Sequence, residues 1–150
     1  MNKIKNLLVI DDESTVRLLL KELIIDFNYG FFEAPRAEKG MKILEKEDIS
    51  LIFLDIQLAN TSGLDILPKI KDMYPDIPVY MISAFHNMES VVKNMNMNIS
   101  GFVGKPFDIY AIKKINPVPE TLDLNPVLYH KYAQQELLMG ICHFESCDQV

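Results

Sequence analysis

The sequence predicts an α/β fold: a doubly wound, five-stranded parallel sheet with helices on both faces, followed by a C-terminal helical tail. Three observations carry that expectation. Ser50-Leu51-Ile52-Phe53-Leu54-Asp55 is an apolar run without polar alternation, as expected of a strand covered on both faces. Three further apolar runs also end on polar residues: Leu7–Ile10 on Asp11-Asp12, Val79–Ile82 on Ser83, and Phe102-Val103 on Gly104-Lys105-Pro106. Between these runs apolar residues recur at helical spacing, and strict alternation of strand and helix implies parallel pairing with right-handed crossovers.

Residues 6–10 form the first strand. Asp11-Asp12-Glu13-Ser14 opens a helix whose Val16, Leu19, Leu20, Leu23, Ile24 and Phe27 keep helical spacing until Asn28-Tyr29-Gly30 stops it. Phe31–Ala34 is a short second strand, and Pro35-Arg36 leads into a helix over 37–46 with Met41, Ile43 and Leu44 inward. The third strand ends on Asp55. A loop over 56–63 then leads into a helix over 64–74 carrying Leu64, Leu67, Ile70 and Met73 at intervals of three. Pro68 lies inside this helix and is expected to weaken or kink it, because proline removes an N–H and crowds the preceding turn. Pro75-Asp76-Ile77-Pro78 ends it and launches the fourth strand. Residues 87–97 read as a polar, Met-rich helix and 101–103 as a short fifth strand. Asp108 reads as the N-cap of a final helix with Ile109, Ile112 and Ile115 inward, cut short at Asn116-Pro117-Val118-Pro119. Five strands wound in this way fit the flavodoxin-like order 2-1-3-4-5. In that order the ligand crevice opens at the carboxyl ends of the first and third strands.

A chain of 150 residues holds one ordinary domain with a core, plus a tail beginning near residue 117. Residues 116–125 form a Pro-punctuated linker, and Asn125-Pro126 starts a helix that runs to Met139 before Gly140. This tail could pack back on the domain, pair with a second copy as a homodimer, or begin an output region. A hydrophobic fraction of 49% and a charged fraction of 24% are those of a globular protein. No apolar run is long enough to cross a bilayer and Met1–Lys5 leads straight into a strand, so a cytoplasmic location without membrane attachment is expected. A net charge of −6 without a Lys/Arg block argues against direct binding of DNA. Both cysteines, Cys142 and Cys147, lie in the tail, so no disulfide framework supports the domain; with His143 they supply only three metal ligands at an unfavourable spacing.

Taken singly, Asp12 could cap a helix, Asp55 and Ser83 could be turn or cap residues, and Lys105 could be a solvated amine. Together, at the ends of four strands, they describe a site. Three carboxylates at one point repel each other unless a cation shares the space, and a hard divalent ion takes oxygen ligands with several waters. Asp12 and Asp55 suit direct ligation, with Asp11 acting through water. A lysine ammonium and a serine hydroxyl suit phosphate oxygens. The combination is built for a phosphoryl group on Asp55.

With Asp11-Asp12, Asp55, Ser83-Ala84 and Lys105-Pro106-Phe107 each at its strand end, the sequence resembles the receiver domain of two-component response regulators over about residues 5–115. The resemblance implies a receiver domain over 1–116, with 117–150 as linker and tail. It implies that Asp55 accepts a phosphoryl group from a phosphohistidine on a sensor histidine kinase or histidine phosphotransfer protein. Mg2+ or Mn2+ would be held by Asp11, Asp12, Asp55 and the backbone carbonyl of Gln57. Lys105 would contact the phosphoryl oxygens, and the bond before Pro106 would be cis. Ser83 would move to bond phosphorylated Asp55 and Phe102 would turn inward, remodelling the face of the fourth helix, fifth strand and fifth helix for a downstream protein. One charge-assisted hydrogen bond contributes about 1.5–3 kcal/mol, less than the roughly 5.5 kcal/mol that carries a switch from 1:99 to 99:1. Ser83 alone therefore gives partial activation.

In the same family Gln57 and Phe85 lie beside the path of attacking water and set the phosphoryl lifetime; the ring of Phe85 is expected to exclude water. His86 reads as a surface residue. The protein is then a phosphorelay signalling module, with self-phosphorylation and autodephosphorylation as its only reactions. Two alternatives stand beside this reading. A small Mg2+-dependent aspartyl-phosphate phosphatase would carry a second Asp two residues after the nucleophile, where Gln57 stands. A phosphorylation-independent interaction module would have lost part of the acidic and basic set.

Overall fold

The structure is a computed structural model and describes residues 5–24, 29–84, 98–107 and 112. Its strands β1 (Asn6–Ile10), β2 (Gly30–Ala34), β3 (Leu51–Asp55), β4 (Val79–Ser83) and β5 (Gly101–Gly104) pair in parallel in the order β2-β1-β3-β4-β5. The expected topology is present. The register aligns Ile10 with Leu54, Asp55 with Ile82, and Ser83 with Gly104, so the strand ends come into line along one edge. A parallel sheet needs a crossover between neighbours. Helices α1 (Ser14–Ile24), α2 (Ala37–Lys46) and α3 (Gly63–Met73) supply three of them.

Alternation along the central strands divides the core between two faces. Leu8, Ile10, Ile52 and Leu54 cluster with Ala37 and Leu44 of α2 and with Ile66, Leu67 and Ile70 of α3. The residues between them, Leu7, Val9, Leu51 and Phe53, are equally buried on the opposite face. Val16, Leu20, Leu23 and Ile24 of α1 are buried outside that first cluster. All five residues of β3 are buried, which is why its sequence shows no polar alternation.

The bounds of α3 differ from the expected 64–74. The helix α3 begins at Gly63, where Ser62 Oγ accepts the Leu64 N–H at 3.1 Å as N-cap, and it buries Ile66, Leu67 and Ile70. Met73, the last of the four residues spaced by three, is 55% exposed. A helical turn takes 3.6 residues, so a step of three drifts off the buried face within three repeats. Pro68 lies within α3, which runs through it to Met73, at an exposed position. It lies in the second turn, where only one backbone bond is forfeited.

Phe27, the Met-rich helix over 87–97, the cap Asp108, Ile109 and Ile115 of the final helix, and the whole tail with Cys142, His143 and Cys147 lie outside the described residues. Ile112 is helical and buried. Among the described residues no helix is long and apolar enough to cross a membrane.

Candidate functional site

The carboxyl edge of the sheet brings Asp11, Asp55 and Lys105 together. Asp11 follows β1 directly; its N–H donates to the Ala34 carbonyl of β2 at 3.0 Å and its carboxylate Oδ1 accepts the Glu13 N–H at 2.8 Å. Asp55 ends β3, and its Oδ1 accepts the Gln57 N–H at 3.1 Å. The loop after it is closed by Gly63, whose N–H donates to the Ile56 carbonyl at 2.7 Å. A Cβ at Gly63 would stand 2.1 Å from the Asp55 carbonyl oxygen, so only glycine lets α3 begin this close to the strand end.

Lys105 arrives from the other side of the sheet. It follows β5, where its N–H donates to the Ser83 carbonyl at 2.7 Å, and the Lys105–Pro106 peptide is cis as expected. Its Nζ lies 3.0 Å from Asp55 Oδ2, 2.9 Å from Asp11 Oδ2 and 2.9 Å from Glu13 Oε1. One ammonium thus meets three carboxylates. Asp11, Asp12, Glu13 and Asp55 each bring an oxygen within 4.8 Å of the others'.

Four carboxylates against one ammonium leave an excess of negative charge in a partly desolvated place. Burial and then the neighbouring Asp11 carboxylate push the Asp55 carboxyl up to about 6, although Lys105 and the Gln57 N–H oppose the shift. Asp11 is raised as well, first by burial. The Lys105 ammonium is held above the usual lysine range: burial works against it, but its bonds to Glu13 and Asp11 outweigh that. The residues fit a hard divalent cation. All four donors are carboxylate oxygens, and Asp11 Oδ2 is buried with no hydrogen-bond partner beyond its ion contact with Lys105. An open cleft of about 620 Å³ lies over the group, lined by Asp12, Glu13, Asp55, Gln57, Ala84 and Lys105 among others.

Adjacent acidic residues differ sharply. Asp11 is fully buried, whereas Asp12 is exposed at the cleft wall. Ser83 is buried at the end of β4, on the strand next to Asp55. Phe102 is half-buried on β5 and packs on the core. Gln57 is exposed and bridges to Ser62 across the loop. Phe85 and His86 lie outside the described residues. Two residues of the site were not singled out from the sequence. Glu13 reads in the sequence only as part of a helix start, yet it pairs with Lys105. Arg17, among apolar positions of α1, donates from Nη1 to the Asp11 carbonyl at 2.7 Å. The available signal is a cation set between Val16 and the run Leu18-Leu19-Leu20.

The model of the response regulator receiver domain matches residues 7–116. The chain belongs to that family. A putative NtrX-like response regulator of Rickettsia felis is 29% identical over 143 residues, which are 91% of this chain but only 30% of that protein. Sporulation initiation phosphotransferase F of Bacillus subtilis is 27% identical over 118 residues, 76% of this chain and 95% of its own length. Among solved structures, the response regulator TrrA of Thermotoga maritima in complex with Mg2+-BeF is 27% identical with a TM-score of 0.66; the match covers 74% of this chain and 95% of that one. Receiver domains are the signalling modules of two-component response regulators. The fold, the family and the acidic pocket of this receiver domain agree with the reading of its sequence.

Proposed function

We propose that this receiver domain, spanning residues 1–116, is a phosphoacceptor in which Asp55 takes a phosphoryl group from a phosphohistidine of a sensor kinase or histidine phosphotransfer protein. One observation carries the proposal: a buried carboxylate and an ammonium largely withdrawn from solvent stand 3.0 Å apart in the wall of an open cleft. An Asp55 carboxylate oxygen attacks phosphorus, the P–O bond of an acyl phosphate forms, and the P–N bond to the donor imidazole breaks. The imidazole nitrogen retains the electron pair and takes up a proton. Asp55 Oδ1 is fixed by the Gln57 N–H, which limits rotation of the nucleophile. Lys105 can shift from the carboxylates to the arriving phosphoryl oxygens, with its three donors serving whichever anion is closest.

The residues that would hold Mg2+ or Mn2+ are Asp11, Asp12, Asp55 and the Gln57 backbone carbonyl, with Glu13 close enough to join them. When bound, the ion offsets the combined charge of the carboxylates and the phosphoryl group. The crystallised TrrA complex with Mg2+-BeF supports this assignment. Ser83 would respond to phosphorylation and Phe102 would relay it to a downstream protein. Gln57 and Phe85 would set the lifetime. The protein would act in the cytoplasm without contacting DNA directly, and residues 117–150 would serve as linker and tail, with homodimerisation through that tail as one role.

Incubation with a small-molecule phosphodonor and Mg2+, followed by mass spectrometry, tests the proposal. Stable modification at Asp55 that disappears in Asp55→Asn is expected. Steady turnover of the donor without a modified protein would point to a phosphatase, and no modification would point to an interaction module.

A further inference from the structure

The Asp11 backbone is held from both sides. Its N–H is taken by the Ala34 carbonyl at the end of β2, and its carbonyl by Nη1 of Arg17 at 2.7 Å. Arg17 comes from the second turn of α1, its own N–H bonded to the Glu13 carbonyl at 3.2 Å, so both ends of the acidic segment 11–13 are tied to this one residue. Its Nε lies 3.6 Å from Glu33 Oε2 of β2 and is buried without a hydrogen bond. Only 13% of the Arg17 side chain is exposed. A guanidinium largely withdrawn from solvent and aimed at a backbone carbonyl, with a carboxylate behind it, is a brace rather than a surface charge. A planar fork can satisfy two acceptors at once, which the single ammonium of a lysine does less well.

We infer that Arg17, backed by Glu33, is a positioning residue that fixes the β1-to-α1 segment so that Asp11, Asp12 and Glu13 present their oxygens together to a divalent cation. The inference rests on the phosphoacceptor reading above. Arg17 touches neither the Asp55 carboxylate nor Lys105 in any of the contacts that define the site, so its effect passes through the backbone of Asp11. Groups that orient metal ligands from outside contribute about 10–100-fold to metal affinity.

Isothermal titration of the purified full chain with MgCl2, at a temperature where circular dichroism shows each variant folded, tests the inference. Arg17→Gln is expected to weaken Mg2+ binding by about tenfold or more, with Arg17→Lys intermediate. Glu33→Gln, at a half-exposed position, is expected to weaken binding in the same direction and less. In phosphodonor labelling the Mg2+ concentration for half-maximal rate should rise in step, while the rate at saturating Mg2+ stays near that of the wild type. A purely structural role would lower the melting temperature and leave the Mg2+ affinity alone. Wild-type affinity in either folded Arg17 variant, or in Glu33→Gln should both Arg17 variants unfold, overturns the inference. If the unmodified protein itself neither binds Mg2+ nor becomes labelled, the phosphoacceptor reading fails instead.

Discussion

The interior of the sheet and its carboxyl edge are built on opposite terms. Through β1, and through β3 and β4 before their last residues, the buried side chains are apolar, and Leu8, Val9, Ile10, Ile52, Leu54, Met81 and Ile82 have no exposed surface. The buried polar side chains among the described residues, Asp11, Asp55 and Ser83, all lie at strand ends on one edge. Burial stabilises the first region through the hydrophobic effect and opposes ionisation in the second. A single sheet thus separates the residues that hold the fold from those that would react, by no more than one position along each strand.

The largest expected effect lies in the interior. Leu54→Ala, one residue before Asp55, should lower the unfolding free energy by about 2–5 kcal/mol, because it removes apolar burial and leaves a cavity; urea unfolding checks it. At the edge the sign should reverse. The Asp55 carboxyl is raised from 3.8 to about 6 in the folded protein. The folded state therefore holds a proton that the unfolded state has already released between those values. The stability associated with that group is full below about pH 4 and is lost as pH rises through about 6. Asp55→Asn should accordingly be more stable than the parent at pH 7 in metal-free buffer, by at most about 3 kcal/mol. The gap should close toward pH 4. Equal stability of the two proteins across pH 4–7 would contradict the assignment of strain to the edge.

Gly63→Ala sharpens the boundary between the regions. Its new Cβ would collide with backbone rather than with a yielding side chain. A loss of about 1–3 kcal/mol is expected from overpacking, together with slower labelling of Asp55, since the collision is with that residue's own carbonyl. The smallest effect on stability is expected from Glu13→Gln. The Glu13 side chain is 57% exposed, and an exposed partner contributes under about 1 kcal/mol to stability. Labelling kinetics should nonetheless change, because Lys105 would no longer share its ammonium with a third carboxylate. Unchanged rates would make Glu13 a bystander.

Most of this division was legible in the sequence because strands covered on both faces are written as unbroken apolar runs. Where such a run stops on Asp11, Asp55, Ser83 or Lys105, the stop itself marks the edge. The alternation of elements fits the observed order of the strands, and that order brings Asp11, Asp55 and Lys105 to one edge. What escaped depends on three-dimensional detail. Nothing in Asp11-Asp12 tells which of two identical neighbours is buried; the pairing of β1 with β2 decides it. Glu13 and Lys105 are 92 positions apart, and their contact needs the exact placement of the β5 end. Gly63 reads as a loop glycine although the Asp55 carbonyl lies beneath it, and a period of three carried as far as Met73 leaves the buried face of α3.

The cation dependence of stability tests the division most directly. At pH 7 the unfolding free energy should rise with added Mg2+, by about 2.7 kcal/mol at a hundredfold excess over the dissociation constant. A protein carrying both Asp11→Asn and Asp55→Asn should start more stable and gain little. No stabilisation of the parent by Mg2+, or the same stabilisation in both proteins, would show that the edge carboxylates are not gathered for a cation.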